Sequence, residues 1–357
     1  MPPRSHARAH AKERRGFLGE LRGAVTLRAA LLVLGVLALQ LAFVASYVGA
    51  FHQPSPDDVP VAVAAPDAVR SQLVDDLEAL PDDPLEVALG TADADEARQA
   101  VEDRTVDGAL VVDPAGDTDT LLLAGGAGTA LADALTRVFE GVAEERGRSL
   151  TVEDLVPAQR GDARGLTSFY LVVGWCVGGY LCAAILAMSY GARPANLARA
   201  LVRLLALAVV AVAAGLGGAA VVGPLLDALP GGLWPLAGLG ALVVFAVGAA
   251  TLALQGVAGV VGVGLAILLV VVLGNPSAGG AFPGPLLPPF WRAIGPFLPP
   301  GAGTWSTRSI AYFDGAALTG PLVVLAAWAV VGTALTLLAA VLRRRSREPE
   351  PARTAVR

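Results

Sequence analysis

The stretch AALLVLGVLALQLAFVASYVGA, Ala29–Ala50, carries no charge from end to end. An α-helix needs about 20 consecutive apolar residues to cross the hydrocarbon core of a bilayer, and this run supplies them. Residues 51–167 have the opposite character, with about 25 acidic residues against about 8 arginines. From Ser168 the apolar runs return and continue almost to the end of the chain. The layout is therefore one span, a polar domain, and a block of further spans.

Composition agrees. The 357 residues are 55% hydrophobic and 16% charged, with a mean hydropathy of +0.62; soluble domains are about 25% charged. Lys12 is the only lysine. A P-loop needs lysine in G-x-x-x-x-G-K-[ST], so the chain does not bind ATP in that way. Cys176 and Cys182 fall within one expected span, six residues apart on different helix faces, too far for a disulfide. His6, His10 and His52 are too scattered for a metal site. Neither a cofactor nor a nucleic-acid partner is expected.

Six spans are predicted, at about Ala24–Ala50, Ser168–Tyr190, Ala200–Leu226, Leu233–Leu254, Val257–Gly274 and Ala316–Leu342. Arginine placement orients them. Arg4, Arg8, Lys12, Arg14, Arg15 and Arg22 precede the first span, Arg193, Arg199 and Arg203 follow the second, and Arg343, Arg344, Arg345 and Arg347 follow the sixth. Six crossings put all three segments on the cytoplasmic side of the plasma membrane and residues 51–167 outside. The first apolar run is longer than the 7–15 residues of a cleaved signal. Arg14-Arg15-Gly16-Phe17-Leu18 looks like a twin-arginine signal, but Glu20, Arg22 and Arg28 interrupt it. Residues 1–23 read instead as a basic tail with a short amphipathic helix, Phe17, Leu18 and Leu21 on the membrane surface. Residues 343–357 are a second basic tail.

The extracellular domain alternates strands and helices. Strands are expected at Val59–Ala65, Leu85–Gly90, Gly108–Val112 and Asp119–Leu123, and helices at Asp67–Leu80, Asp93–Arg104 and Gly128–Arg146. Such alternation gives a small α/β sheet with right-handed crossovers. Gly125-Gly126-Ala127-Gly128 lacks the spacing of a dinucleotide site and reads as a flexible turn. The acidic pairs Asp57-Asp58, Asp75-Asp76 and Asp82-Asp83 read as solvated surface. No nucleophile–base pair appears, so an enzyme is not expected.

Coupling by protons generally needs an ionisable group inside a span. None lies mid-span; Asp227 and Arg203 sit near ends, and Gln40 and Gln255 do not titrate. The spans are rich in glycine instead, and Gly174-x-x-x-Gly178 fits close helix packing. Residues 275–315 are too apolar for an ordinary loop and too rich in proline for a span. Short half-helices at the outer membrane boundary fit this stretch, and such backbone is tolerated where protein buries it or it lines a cavity. Trp291, Trp305, Tyr312 and Phe313 suit an interface belt.

The run Asn275-Pro276-Ser277, Gly279-Gly280, Phe282-Pro283, Leu286-Leu287-Pro288, Phe290-Trp291-Arg292-Ala293-Ile294-Gly295-Pro296 and Leu298-Pro299, ending in Arg308 and Tyr312-Phe313, carries a resemblance. Together with the one-plus-five layout, it resembles the ABC-2 type exporter permeases, most closely the branch holding the YhgE/Pip proteins and the nitrosoguanidine-resistance membrane proteins. The resemblance implies a membrane subunit that pairs as a homo- or heterodimer and exports a hydrophobic or amphipathic compound, powered by a separate cytoplasmic ATPase. It implies Asn275, Pro276, Phe282, Pro283, Trp291 and Arg292 as candidates for a transport path or gate loop. Phe17, Leu21, Arg193 and Arg199 would dock the ATPase. The alternative expectation is a non-transporting surface receptor or secretion-associated protein of the YhgE/Pip type.

Overall fold

The computed structural model describes residues 26–191 and 194–345. The chain divides into two units, Met1–Val44 and Ala45–Arg357. The first holds most of helix α1, Leu27–Phe51, whose uncharged stretch Ala29–Phe51 is long and apolar enough to cross a membrane. The second holds the polar domain and the remaining helices.

The polar domain is a five-stranded mixed sheet of order β2-β1-β3-β4-β5. Strand β1 (Val59–Ala64) pairs in parallel with β2 (Leu85–Thr91) and with β3 (Gly108–Val112). Strand β4 (Thr118–Leu123) returns antiparallel to β3, and β5 (Ser149–Asp154) lies parallel to β4. Helices α2 (Asp67–Glu78), α3 (Ala94–Glu102) and α4 (Thr129–Glu145) make the connections. Helix α3 starts where it does because the Asp93 carboxylate accepts the Asp95 N–H at 2.9 Å, capping an orphan donor. Strand β5 is not among the strands expected from the sequence. Its residues are mostly solvent-exposed, so no buried alternation marks it.

Strand β1 is buried on both faces, which its short run of Val and Ala permits. Val59, Val61 and Val63 pack with Leu73, Leu77, Leu110, Leu135 and Phe139. Ala62 and Ala64 pack with Ala97, Val101, Ala109 and Leu122. Both cores are completed by residues far away in sequence. Leu286 and Phe282 close the first, while Phe313, Tyr312 and Ala316 close the second. The α/β domain and the segment 282–316 therefore share one apolar interior.

Four further helices are long and apolar enough to span a membrane, within α5 (Thr167–Tyr190), α6 (Leu197–Ala220, extended by a π-turn at Val221–Leu225), α7 (Leu233–Ala258) and α11 (Thr319–Arg345). With α1 they make five among the described residues. The remaining expected span breaks at Gly259, whose φ of +65° ends α7 and suits a residue without Cβ. Beyond Gly259 come α8 (Val261–Ile267) and a π-helical turn, Leu268–Gly274. At a rise of about 1.5 Å per residue this apolar stretch covers roughly 21 Å, short of the ~30 Å core.

Helix α7 is the hub, packed against α5, α6 and α11. Glycine makes the approach possible. A Cβ on Gly215 of α6 would lie 2.3 Å from the Ala237 carbonyl of α7, and one on Gly179 of α5 would lie 2.6 Å from the Val244 carbonyl. A Cβ on Gly332 of α11 would meet the Ala250 nitrogen at 2.6 Å. The Gly174 and Gly178 pair behaves differently from expectation: a Cβ at either would meet nothing within 4 Å. Within this chain the close contacts are made by other glycines. Gly215→Leu should therefore destabilise the purified protein by about 1–3 kcal/mol, the usual cost of overpacking. Gly174→Leu should leave the thermal midpoint in detergent unchanged, and equal midpoints for the two variants would contradict this packing.

Candidate functional site

The segment that completes the domain cores also carries a buried polar helix. After the 3₁₀ turn Gly284–Leu286 come α9 (Pro289–Ile294), a second 3₁₀ turn (Gly295–Phe297) and α10 (Pro299–Tyr312). Proline opens both α9 and α10, where its missing N–H costs nothing. Helix α10 packs against α5, α7 and α11. Thr304, Ser306, Thr307, Arg308 and Ser309 are all buried on it. The two threonines satisfy themselves, donating to Pro300 O at 2.8 Å and Gly303 O at 2.9 Å.

Arg308 does not stay within its helix. Its guanidinium donates to Gly279 O at 2.7 Å, Gly280 O at 3.0 Å and Gly165 O at 3.1 Å. One cation thus joins α10, the 275–283 loop and the chain entering α5. No carboxylate forms an ion pair with it among the described residues. Burial pushes its pKa down to about 10, opposed by Asp162 and Tyr312, so it remains charged at neutral pH. Four residues on, the Tyr312 hydroxyl donates to Asp162 Oδ2 at 2.8 Å. Asp162 Oδ1 accepts the Thr167 N–H at 2.8 Å, at the first residue of α5. Burial and then this donation to Asp162 hold the Tyr312 hydroxyl well above the ordinary phenol range.

A second cation reaches the same helix from the α/β domain. Arg104, in left-handed backbone with φ of +60°, donates to Ser309 Oγ at 2.6 Å and Trp305 O at 3.2 Å. Its guanidinium lies 3.6 Å from the Trp305 ring centre and 4.7 Å from that of Phe313. Burial lowers its pKa to about 9, with Arg308 adding to the effect. Nearby Asp107 is pushed up to about 6 by burial, against the pull of Arg104.

The expected gate residues are gathered along this seam. Asn275 is buried just past the π-helical turn, its Oδ1 without a hydrogen bond and its amide engaged with the Tyr47 hydroxyl. Pro276 is buried beside it. Phe282 meets the ring of Phe51 at 5.6 Å. Pro283 fills the space at Gly128, where a Cβ would come within 2.5 Å of its Cγ. The glycine-rich turn 125–128 is thus a docking face, since a Cβ on Gly126 would also strike the Tyr312 ring at 2.7 Å. Trp291 packs edge-on against Phe290 at 5.0 Å. Arg292 pairs with Asp57 at 2.9 Å and Asp58 at 3.6 Å, giving that acidic pair a partner. Arg199 stands exposed on the first turn of α6, away from these contacts, its N–H capped by Asn196 at 2.9 Å. Phe17, Leu21 and Arg193 lie outside the described residues. Nothing in the sequence singles out Arg104 or Asp162, because their partners on α10 lie at least 150 positions away.

No family model, curated protein or solved structure matches the chain.

The raised pKa of Asp107 sets a pH dependence. An unfolded chain releases this proton near the ordinary 3.8, the folded one near 6. The cost of its charge is fully present above pH 6 and absent below about pH 4. Asp107→Asn should be more stable than the parent by about 1–3 kcal/mol at pH 7.5, with the gap closing as pH falls to 4. Parallel unfolding curves across that range would contradict the cost of this partly buried charge.

Proposed function

We propose that the chain is the membrane subunit of an ABC-2 type exporter, moving a hydrophobic or amphipathic compound outward with a separate ATPase. In this reading the chain crosses the plasma membrane six times, with both termini cytoplasmic and the α/β domain outside. The sixth crossing is the short stretch Val261–Gly274, completed by the buried residues after it. Two such subunits pair. The ATPase contacts the amphipathic stretch at Phe17 and Leu21 and the α5–α6 loop at Arg193 and Arg199.

The observation that carries this reading is the seating of α10. It lies among α5, α7 and α11 and is tied at its far end to the α/β domain through Arg308, Arg104 and Tyr312. A shift of the spans is therefore passed on mechanically to the domain, as a transporter with an external domain requires. The spans also hold no proton-coupling carboxylate in their middle among the described residues, which favours an external energy source. The largely exposed edge strand β5, with Val152 43% exposed, favours the second reading, a surface receptor, because such an edge can pair with another chain.

Deleting every candidate partner ATPase should abolish export of a toxic amphiphile, read as intracellular accumulation. Unchanged export would end the transporter reading, and the absence of any export in the parent would favour the receptor. Topology is checked separately. A membrane-impermeant maleimide should label Gly116→Cys in intact cells, and Ser346→Cys only after permeabilisation. The opposite pattern would overturn the orientation.

A further inference from the structure

One cavity lies apart from the gate loop, at the end of α6 and the start of α7. It measures about 370 Å³, within the range of small-molecule sites. Leu233, with the largely covered Leu229 and Leu236 behind it, gives the wall an apolar side, Gly223 and Pro224 of the π-turn complete it, and nearly half of the wall is polar. A π-turn widens the helix and is frequent at functional sites. Pro224 inside it offers no N–H to the preceding turn.

Asp227 is the single ionisable residue in this wall. Asp227 is exposed, and among the described residues its carboxylate has no hydrogen-bond or ion-pair partner within the protein. Arg160, one residue from Gly161 on the facing turn, forms no ion pair with it. The backbone of Asp227 is nevertheless fixed. It takes left-handed φ of +49°, its N–H donates to Gly223 O at 2.7 Å, and Gly161 is so close that a Cβ there would lie 2.6 Å from the Asp227 carbonyl. Leu225, Leu226 and Trp234 beside the cavity are 72%, 61% and 74% exposed. Residues this apolar and this exposed suit lipid contact at the rim of the bilayer, so the cavity is approachable from the side.

We propose that this cavity binds a lipophilic organic cation, its apolar body against the leucines and its charge at Asp227. An apolar side beside an exposed carboxylate that makes no ion pair suits that combination, since the site gains nothing from an anion and little from a hydrophilic ion. The site adjoins the seam, because Gly231 of its wall abuts α10 at Ile310 and Ala311. That the cation is also cargo rests on the exporter reading, but binding does not.

The test uses the full chain in lipid nanodiscs, with empty nanodiscs subtracted. The probes are tetraphenylphosphonium and its anionic isostere tetraphenylborate, measured by equilibrium dialysis. The parent should bind the cation saturably and the anion without saturation. Asp227→Asn should weaken cation binding by roughly five- to tenfold, the size of one charge contact at a half-wet site. Asp227→Glu should stay near the parent. Gly223→Leu, whose Cβ enters open space, should block the cavity and abolish binding with an unchanged unfolding midpoint. Equal cation affinity in Asp227→Asn, saturable anion binding, or no saturable cation binding by the parent would each overturn the site. If Asp227→Asn does not fold, the cation–anion contrast and Gly223→Leu decide. None of these outcomes touches the ATPase dependence of export, which fails or stands on its own experiment.

Discussion

A guanidinium buried without a carboxylate partner sets the terms for this molecule. Removing an ion from water costs several kcal/mol even after relaxation, and Arg308 meets that cost with three backbone carbonyls drawn from two separate segments. Those carbonyls are free to accept because each belongs to a glycine in a loop, outside helix or sheet ladders. Gly165 and Gly279 both have positive φ, a conformation that turns a carbonyl where a helix would not. The chain entering α5, the proline-rich loop and α10 thereby meet at one point.

From that point the rest of the seam is built. With α10 held by Arg308, Tyr312 reaches Asp162 and Phe313 reaches the second face of the sheet. With the loop held, Phe282 and Leu286 reach the first face. The glycines at 126 and 128 are the complement, leaving room for Tyr312 and Pro283. A five-stranded sheet of this size gains little from surface ion pairs such as Arg98–Glu153. It gains more from burying the apolar side chains that the membrane block provides.

How much of this can be read in the sequence depends on the range of the interaction. Strand β3 and helices α2, α3 and α4 are legible because their periodicity is local, and β3 lies at Gly108–Val112, as expected. The apolar runs are legible because composition alone marks them. Within the expected span Val257–Gly274, composition does not show that Gly259 breaks the helix, leaving the shorter apolar stretch Val261–Gly274. The Gly174 and Gly178 spacing suggests a contact that Gly179, Gly215 and Gly332 make instead, because spacing does not say which helix face meets a neighbour. The Asn275–Pro300 run stands out by its prolines, and Arg292, Phe282 and Pro283 do touch the domain. Arg104 cannot be found that way. It is a lone arginine after a short helix, and only the fold brings it over Trp305.

The two kinds of arginine contact divide the seam by strength. Arg308 is 4% exposed and shut in by backbone, so separating it would leave three carbonyls and a cation unpaired, each at a cost of about 1–3 kcal/mol or more. Arg104 and Arg292 are only partly buried. A guanidinium over an indole contributes about 0.5–2 kcal/mol, and a partly exposed ion pair about 1 kcal/mol or less. Each of these two can also regain water when released. Among the polar contacts of the seam, those of Arg308 are therefore the costliest to lose and those of Arg104 and Arg292 the cheapest, while the apolar side chains shared with both faces of the sheet hold the two parts together along its length.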